Sequence, residues 1–360
     1  MLQVKVLVVD DSSLMRRIIT RLLEEDPALK VVGTAADGID AIQQIKVLRP
    51  DVVTLDVEMP KLDGIATLRR MMVECPVPAV MLSAHTHEGA RSTMDALSAG
   101  AVDFVAKPSS PSDLPAMVEE LKAKLKVASR VSMRRVFKTT NITPPVTQRR
   151  TPPPQVKPAA TPAKRQVCNK IDLVVIGCST GGPAALQQII PLLPADLPAG
   201  VVVVQHIPIG FSKSMAEHLA RKSKIEVSHA EEGDEIKPGK VLVAPAGFDL
   251  TFKSRGRGFA VSLGNFGQPL APGGFRPSVD VVMKSAAEVV GCRTMGVLLT
   301  GMGRDGAQGM LAIKNQGGPT MAEHESSCVV YGMPKAAVDL GAAGKVVPLK
   351  QIAQEIQAVF

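Results

Sequence analysis

Short apolar runs recur along the chain, and between most of them apolar positions return every three or four residues. The chain opens on Val4-Lys5-Val6-Leu7-Val8-Val9, a strand pattern that stops at Asp10-Asp11. Over residues 13–23 the spacing turns helical, with Met15, Ile18, Ile19 and Leu22 on one side. Residues 31–35 read as a second strand, followed by a helix around 38–48. A third strand at 51–56 ends on an acid, a fourth spans 77–83, and a fifth at 102–106 runs into Lys107-Pro108. A helix over about 112–125 closes the series. Alternation of this kind predicts a parallel, doubly wound sheet.

The pattern then stops. Residues 128–168 show no periodicity and carry Pro144, Pro145, Pro152, Pro153, Pro154, Pro158 and Pro162 among Thr, Gln and basic residues. Such a stretch is an extended, self-repelling spacer. Apolar runs return at residues 173–176, 201–204, 241–243 and 296–299, and 259–263 reads as one arm of a β-hairpin. The expected fold class is therefore α/β, with two doubly wound parallel-sheet domains, the first flavodoxin-like and the second Rossmann-like, joined by a Pro-rich linker. Their expected limits are 1–125, 126–168 and 169–360.

Charge and cysteine usage narrow the function classes. The net charge is +8, which invites a nucleic-acid reading. However, residues 130–170 contain ten Lys or Arg and no Asp or Glu, so the spacer holds the excess and the remainder is close to neutral. With one Tyr and no Trp, base-stacking platforms are scarce. The five cysteines are scattered without a C-x-x-C pair, which predicts neither a disulfide framework nor a zinc site. No run approaches a membrane span and no signal peptide is evident at the N-terminus, so a cytoplasmic protein without membrane insertion is expected. No coiled-coil heptads argue for a dimer, and a monomer is expected.

In an open parallel sheet, ligands gather at the carboxyl ends of the strands. Asp10 and Asp11 follow the first strand, Asp56 ends the third, Ser83 the fourth and Lys107 the fifth. Grouped carboxylates repel unless a cation joins them, and carboxylates with water suit Mg²⁺. Val8-Val9-Asp10-Asp11-Ser12, Thr54-Leu55-Asp56-Val57-Glu58-Met59-Pro60, Ser83-Ala84 and Lys107-Pro108 resemble the receiver domain of response regulators. The resemblance implies Asp56 as phosphoacceptor and an Mg²⁺ site formed by Asp10, Asp11, Asp56 and the backbone carbonyl of Glu58. It also implies a switch formed by Ser83, Lys107 and Phe104.

In the second half, Leu173-Val174-Val175-Ile176 leads into Gly177-Cys178-Ser179-Thr180-Gly181-Gly182 and a helical stretch with Pro183 in its first turn. Gly-x-Ser-x-Gly between strand and helix has the shape of a nucleophile elbow, although a Gly-rich turn with a serine N-cap explains it equally. A serine nucleophile needs a base and an orienting acid. Of the six histidines, only His206 follows a fully apolar run. Asp305, after residues 296–299 and Gly301-Met302-Gly303, projects at the same expected edge, with Asp249 and Asp280 as rivals. Cys178 remains a rival nucleophile, to be distinguished by thiol alkylation.

These motifs, with Gln205-His206, Phe275-Arg276-Pro277-Ser278-Val279-Asp280 and Leu299-Thr300-Gly301-Met302-Gly303-Arg304-Asp305-Gly306, resemble the bacterial chemotaxis protein-glutamate methylesterases. That family also places a receiver, a linker and a catalytic domain in this order. The resemblance implies the triad Ser179, His206 and Asp305, with the Met302 N–H in the oxyanion hole and Thr180 beside the histidine. It implies hydrolysis of glutamate γ-methyl esters and deamidation of glutamines on methyl-accepting chemoreceptors, with a chemotaxis histidine kinase as phosphodonor. No cofactor is implied for ester hydrolysis. One position departs from the family pattern: Ala244-Pro245-Ala246-Gly247 is followed by Phe248-Asp249, where a histidine is usual. Two other classes fit less well. A DNA-binding output is supported only by the basic spacer, and no helix-turn-helix pattern follows the first domain. A nucleotide site is opposed by the absence of G-x-G-x-x-G spacing and of a P-loop lysine.

Overall fold

Valine-rich runs form the centres of two separate sheets in the computed structural model, which describes residues 3–131, 170–264 and 275–360. The first unit runs β1 (Val4–Val9), α1 (Ser13–Glu24), β2 (Leu29–Ala35), α2 (Gly38–Leu48), β3 (Val52–Asp56), α3 (Gly64–Glu74), β4 (Ala79–Ser83), α4 (His87–Ser98), β5 (Asp103–Ala106) and α5 (Leu114–Ala128). Its strands are parallel in the order β2-β1-β3-β4-β5. Every residue of β3, β4 and β5 is buried, as strands covered by helices on both faces require. Ser12, Asp37, Asp63 and Thr86 each accept a first-turn amide and so fix where α1 to α4 begin. The strand order reverses between β1 and β3; Asp10 follows the first directly and Asp56 ends the second.

The second unit runs β6 (Leu173–Cys178), α6 (Gly182–Ile189), β7 (Gly200–Gln205), α7 (Ser212–Lys222), β8 (Glu226–His229), β9 (Lys240–Val243), β10 (Asp249–Arg255), β11 (Gly258–Gly264), α8 (Val279–Val289), β12 (Thr294–Leu298), α9 (Ala307–Asn315), β13 (Thr320–Glu323), α10 (Met333–Asp339), β14 (Lys345–Val347) and α11 (Leu349–Gln357). Seven parallel strands lie in the order β14-β13-β12-β6-β7-β9-β8. β10 and β11 form a separate antiparallel hairpin, which includes the arm expected at 259–263.

Both expected parallel sheets are present. α5 continues to Ala128, past the expected boundary at 125, and residues 132–168 of the expected linker lie outside the described residues. The cysteine expectation needs a correction. Cys75, Cys178 and Cys328 are free thiols, but Cys292 is disulfide-bonded. Spacing along the chain does not report which Cα atoms approach each other. Among the described residues no helix is long and apolar enough to cross a membrane.

The two units meet through α4, which packs on α6 and α7. Phe104 of β5 lies against Phe211, with ring centroids 4.8 Å apart, and His85 meets the same ring edge-on. Ser98 at the end of α4 is bonded by Gln187 Oε1 at 2.5 Å, His218 Nε2 at 3.1 Å and Lys222 Nζ at 3.1 Å.

Candidate active site

β6 is the first strand of the seven-stranded sheet. β7 pairs on one side of it and β12 on the other, so connections leave in opposite directions and a crevice opens at their carboxyl ends. Ser179 follows β6, His206 follows β7, and Asp305 lies on the loop after β12. The three residues singled out from the sequence thus reach one edge.

The serine sits on a tight turn. Its N–H donates to Thr300 O at 3.1 Å, and its carbonyl accepts from Gly182 N at 2.7 Å. Gly181 takes φ +78°, a conformation that strains any side chain. A Cβ on Gly301 would lie 2.9 Å from Ser179 Cβ, so only glycine lets the loop after β12 seat against the serine. Among the described residues nothing hydrogen-bonds the Ser179 hydroxyl, which opens on a cavity of about 640 Å³.

His206 is held from two directions. Its Nε2 lies 2.8 Å from Asp305 Oδ2, and the Phe275 ring stacks on it at 3.9 Å with planes 7° apart. With the proton assigned to Nε2, the lone pair is on Nδ1, which is buried and has no partner among the described residues. Asp305 is fixed by the start of α8. Its Oδ2 also accepts from Val279 N at 2.7 Å, and its Oδ1 from Ser278 Oγ at 2.9 Å and Asp280 N at 3.0 Å. Burial alone would raise this carboxyl. The hydrogen bond from His206, the Asp280 amide, the His206 charge and the Val279 amide outweigh it and hold Asp305 below the ordinary range.

The rivals are engaged elsewhere. Asp280 Oδ1 accepts from Gly309 N at 2.7 Å in α9, and Asp249 pairs with Arg276 at 2.8 Å. Cys178 is fully buried, donates to Gln205 Oε1 at 3.0 Å and is driven far above the usual thiol range, first by burial and then by the Glu323 charge. Such a thiol is inert.

Met302 lies on the cavity wall, and its amide has no hydrogen-bond acceptor among the described residues. The opposite wall comes from the first unit: Asp103, Glu120 and Lys124 line the same cavity. Lys124 Nζ lies 3.3 Å from Asp103 Oδ1 and 2.7 Å from Glu120 Oε1.

In the first unit, ligand oxygens of Asp10, Asp11 and Asp56 lie within 4.8 Å of one another. Lys107 Nζ is 2.6 Å from Asp56 Oδ2 and 3.0 Å from Asp10 Oδ2. Asp10 Oδ2 is buried and makes no well-directed hydrogen bond. Burial pushes Asp56 up to about 6 against the Lys107 hydrogen bond and charge, with Asp10 adding to the rise. An all-oxygen set of this kind, with Asp10 and Asp56 buried, Asp11 exposed and one buried carboxylate oxygen of Asp10 unsatisfied, fits Mg²⁺. The Glu58 amide lies 3.4 Å from Asp56 Oδ1. Ser83 is turned away from these acids. Its hydroxyl donates to Gly89 O at 3.0 Å and accepts from Thr93 Oγ1 at 2.7 Å, both in α4.

The family model for CheB methylesterase matches residues 174–356, and the response-regulator receiver model matches residues 6–119. The protein-glutamate methylesterase/protein-glutamine glutaminase of Symbiobacterium thermophilum is 49% identical, over 98% of this chain and 96% of its own length. A protein of the same name from Carboxydothermus hydrogenoformans is 45% identical, over 98% of each chain. The crystal structure of the Thermotoga maritima CheB methylesterase catalytic domain superposes with a TM-score of 0.51 at 41% identity, covering 53% of this chain and all of its own. The chain belongs to the CheB methylesterase family.

For a CheB methylesterase, three features of the site were not read from the sequence. The Phe275 stack on His206 joins residues far apart in the sequence, and the motif that contains Phe275 gives no sign of it. The Ser278, Val279 and Asp280 donors to Asp305 follow from Ser278 being the N-cap of α8, a signal that the Ser-x-x-x apolar pattern did carry. The wall formed by Asp103 and Lys124 depends on how two domains meet, which no local pattern reports.

Proposed function

We propose that this CheB methylesterase hydrolyses γ-methyl esters of glutamate on methyl-accepting chemoreceptors, and deamidates receptor glutamines, through Ser179, His206 and Asp305. The observation that carries the reading is the convergence of these residues at the ends of β6, β7 and β12 around one cavity. Nδ1 of His206 accepts the Ser179 proton as Oγ attacks the γ-carbonyl carbon. Asp305 holds the opposite nitrogen protonated and stabilises the imidazolium. The usual assignment of the two ring nitrogens is thereby exchanged. Ser179 and His206 are not hydrogen-bonded in the resting site, so the hydroxyl swings toward Nδ1 when substrate fills the cavity. The unpaired Met302 amide receives the oxyanion, an effect of about 2.7–4 kcal/mol per donor. The imidazolium then protonates methoxide, which leaves as methanol, or ammonia in the glutamine reaction. A water deprotonated by His206 releases the γ-carboxylate and frees Ser179.

The receiver gates this chemistry. Asp56 is the phosphoacceptor for a chemotaxis histidine kinase. Asp10, Asp11, Asp56 and the Glu58 carbonyl would hold Mg²⁺, which when bound screens the carboxylate and phosphoryl charges. Lys107 and Ser83 meet the phosphoryl oxygens. For Ser83 to do so it must leave Gly89 and Thr93, which loosens the start of α4, and Phe104 must part from Phe211. Both changes act on the surface that closes the esterase cavity.

The test is methanol release from methylated chemoreceptor, with and without a small-molecule phosphodonor. Release stimulated by the phosphodonor supports the reading, and no release under either condition refutes it. A second variant checks the gate. Ser98→Arg sets a cation against Lys222 and Arg221 in the domain contact, where like charges cost several kcal/mol. The unphosphorylated rate is expected to rise about tenfold or more. A rate that stays at the wild-type resting value argues against closure by the receiver.

A further inference from the structure

Glu323, the last residue of β13, is fully buried and faces no cation among the described residues. Its Oε2 accepts the Thr300 amide at 2.8 Å, and its Oε1 accepts the Ser327 hydroxyl at 2.9 Å. Burial holds its carboxyl above the ordinary range in spite of these donors. A buried acid supported only by neutral donors is costly to keep and calls for an explanation.

Thr300 supplies it. This residue joins the turn that carries Ser179 to the loop that carries Met302. Its carbonyl accepts the Ser179 amide at 3.1 Å. Its hydroxyl donates to Thr180 O at 3.0 Å and accepts from Val330 N at 2.9 Å. The next amide, Gly301 N, donates to Val330 O at 3.1 Å, and Met302 follows directly. The peptide that anchors the nucleophile's turn is thus continuous with the loop carrying the oxyanion donor. The amide hydrogen of Thr300 itself goes to Glu323. Ser327 in turn accepts the Leu349 amide at 2.9 Å, which ties Glu323 to the start of α11.

We propose that Glu323 is a positioning residue for ester hydrolysis, setting through Thr300 the separation between the Ser179 hydroxyl and the Met302 amide. It touches no substrate. The proposal rests on the reading of Ser179 as nucleophile and Met302 as oxyanion donor. A displacement of about 1 Å at such a pair costs on the order of 100-fold in rate.

The test uses the full chain with phosphodonor and methylated receptor. Glu323→Ala is expected to lower kcat by about 10- to 100-fold with KM within about twofold of wild type. Glu323→Gln keeps an oxygen for the Thr300 amide and an amide donor for Ser327, and is expected to recover at least about a third of kcat. Thr300→Val removes the bridge to Thr180 O and Val330 N and is expected to reproduce the kcat loss, with no further loss when combined with Glu323→Gln. If Glu323→Ala does not fold, the Glu323→Gln and Thr300→Val pair decides the matter. Wild-type kcat in Thr300→Val, or a Glu323→Gln variant as slow as Thr300→Val with losses that multiply, overturns the proposal. Ser179→Ala is run in parallel. Activity surviving in that variant would overturn the underlying site instead, whereas an inactive Ser179→Ala beside a fully active Glu323→Ala would overturn only the positioning role.

Discussion

Ser179→Ala is expected to reduce methanol release by about 10⁶-fold while Asp56 is still phosphorylated at the wild-type rate. The size follows from what is lost. Without the hydroxyl no acyl-enzyme forms, and the remaining Met302 amide and cavity walls assist only direct attack by water, a residual effect of about 10³–10⁴ over the uncatalysed reaction. The fold should not feel the change. The hydroxyl has no hydrogen-bond partner among the described residues, so the turn keeps its Thr300 and Gly182 bonds, and stability should move by no more than about 0.5 kcal/mol. Methanol release, phosphate incorporation and thermal unfolding measured on one preparation separate these effects. Substantial methanol release from the variant would remove Ser179 from the mechanism and reopen the search for a nucleophile.

Asp305→Asn is expected to cost about 10⁴-fold in kcat. The carboxylate accepts from His206 Nε2, Ser278 Oγ and the amides of Val279, Asp280 and Gly306. An asparagine offers one oxygen and one NH₂ to the same donors, so a donor must face a donor, and His206 loses the partner that keeps its proton on Nε2. Stability supplies an independent signature. The folded carboxyl lies below the ordinary 3.8, so its ionised form stabilises the fold above that value and the contribution is lost as pH falls through the folded value. The unfolding temperatures of wild type and variant should therefore differ at neutral pH and converge in strong acid. Curves that stay parallel to the lowest pH would show that the carboxylate is not held as described.

Much of this site was legible in the sequence because a parallel sheet buries whole strands. β6, β7 and β12 stand out as apolar runs, and the residues after such runs share one edge, so Ser179, His206 and Asp305 could be grouped before any coordinates. The same logic grouped Asp10, Asp56 and Lys107. It failed where burial is incomplete or contacts are distant. β13 and β14 are only four and three residues long, and two of the three in β14 are exposed, too brief a signal to distinguish from a loop. Consequently nothing in the sequence set Glu323 apart from the other acids. Ser83 has the right position, but its hydroxyl direction is a matter of rotamer, which composition does not encode. Phe104 against Phe211 joins a strand of the first unit to a helix cap of the second, and no periodicity connects them.

The wall that Asp103 and Lys124 contribute to the esterase cavity has a thermodynamic consequence. Receptor side chain and phosphoryl group would both be opposed by the same closed arrangement, so each must pay to open it unless the other already has. Linkage then runs both ways. If phosphorylation raises affinity for methylated receptor by some factor, bound receptor must favour the phosphorylated receiver by that same factor. On that coupling, a chain standing on a heavily methylated receptor would be easier to phosphorylate than one free in solution, and it would shed that advantage as its own product accumulates.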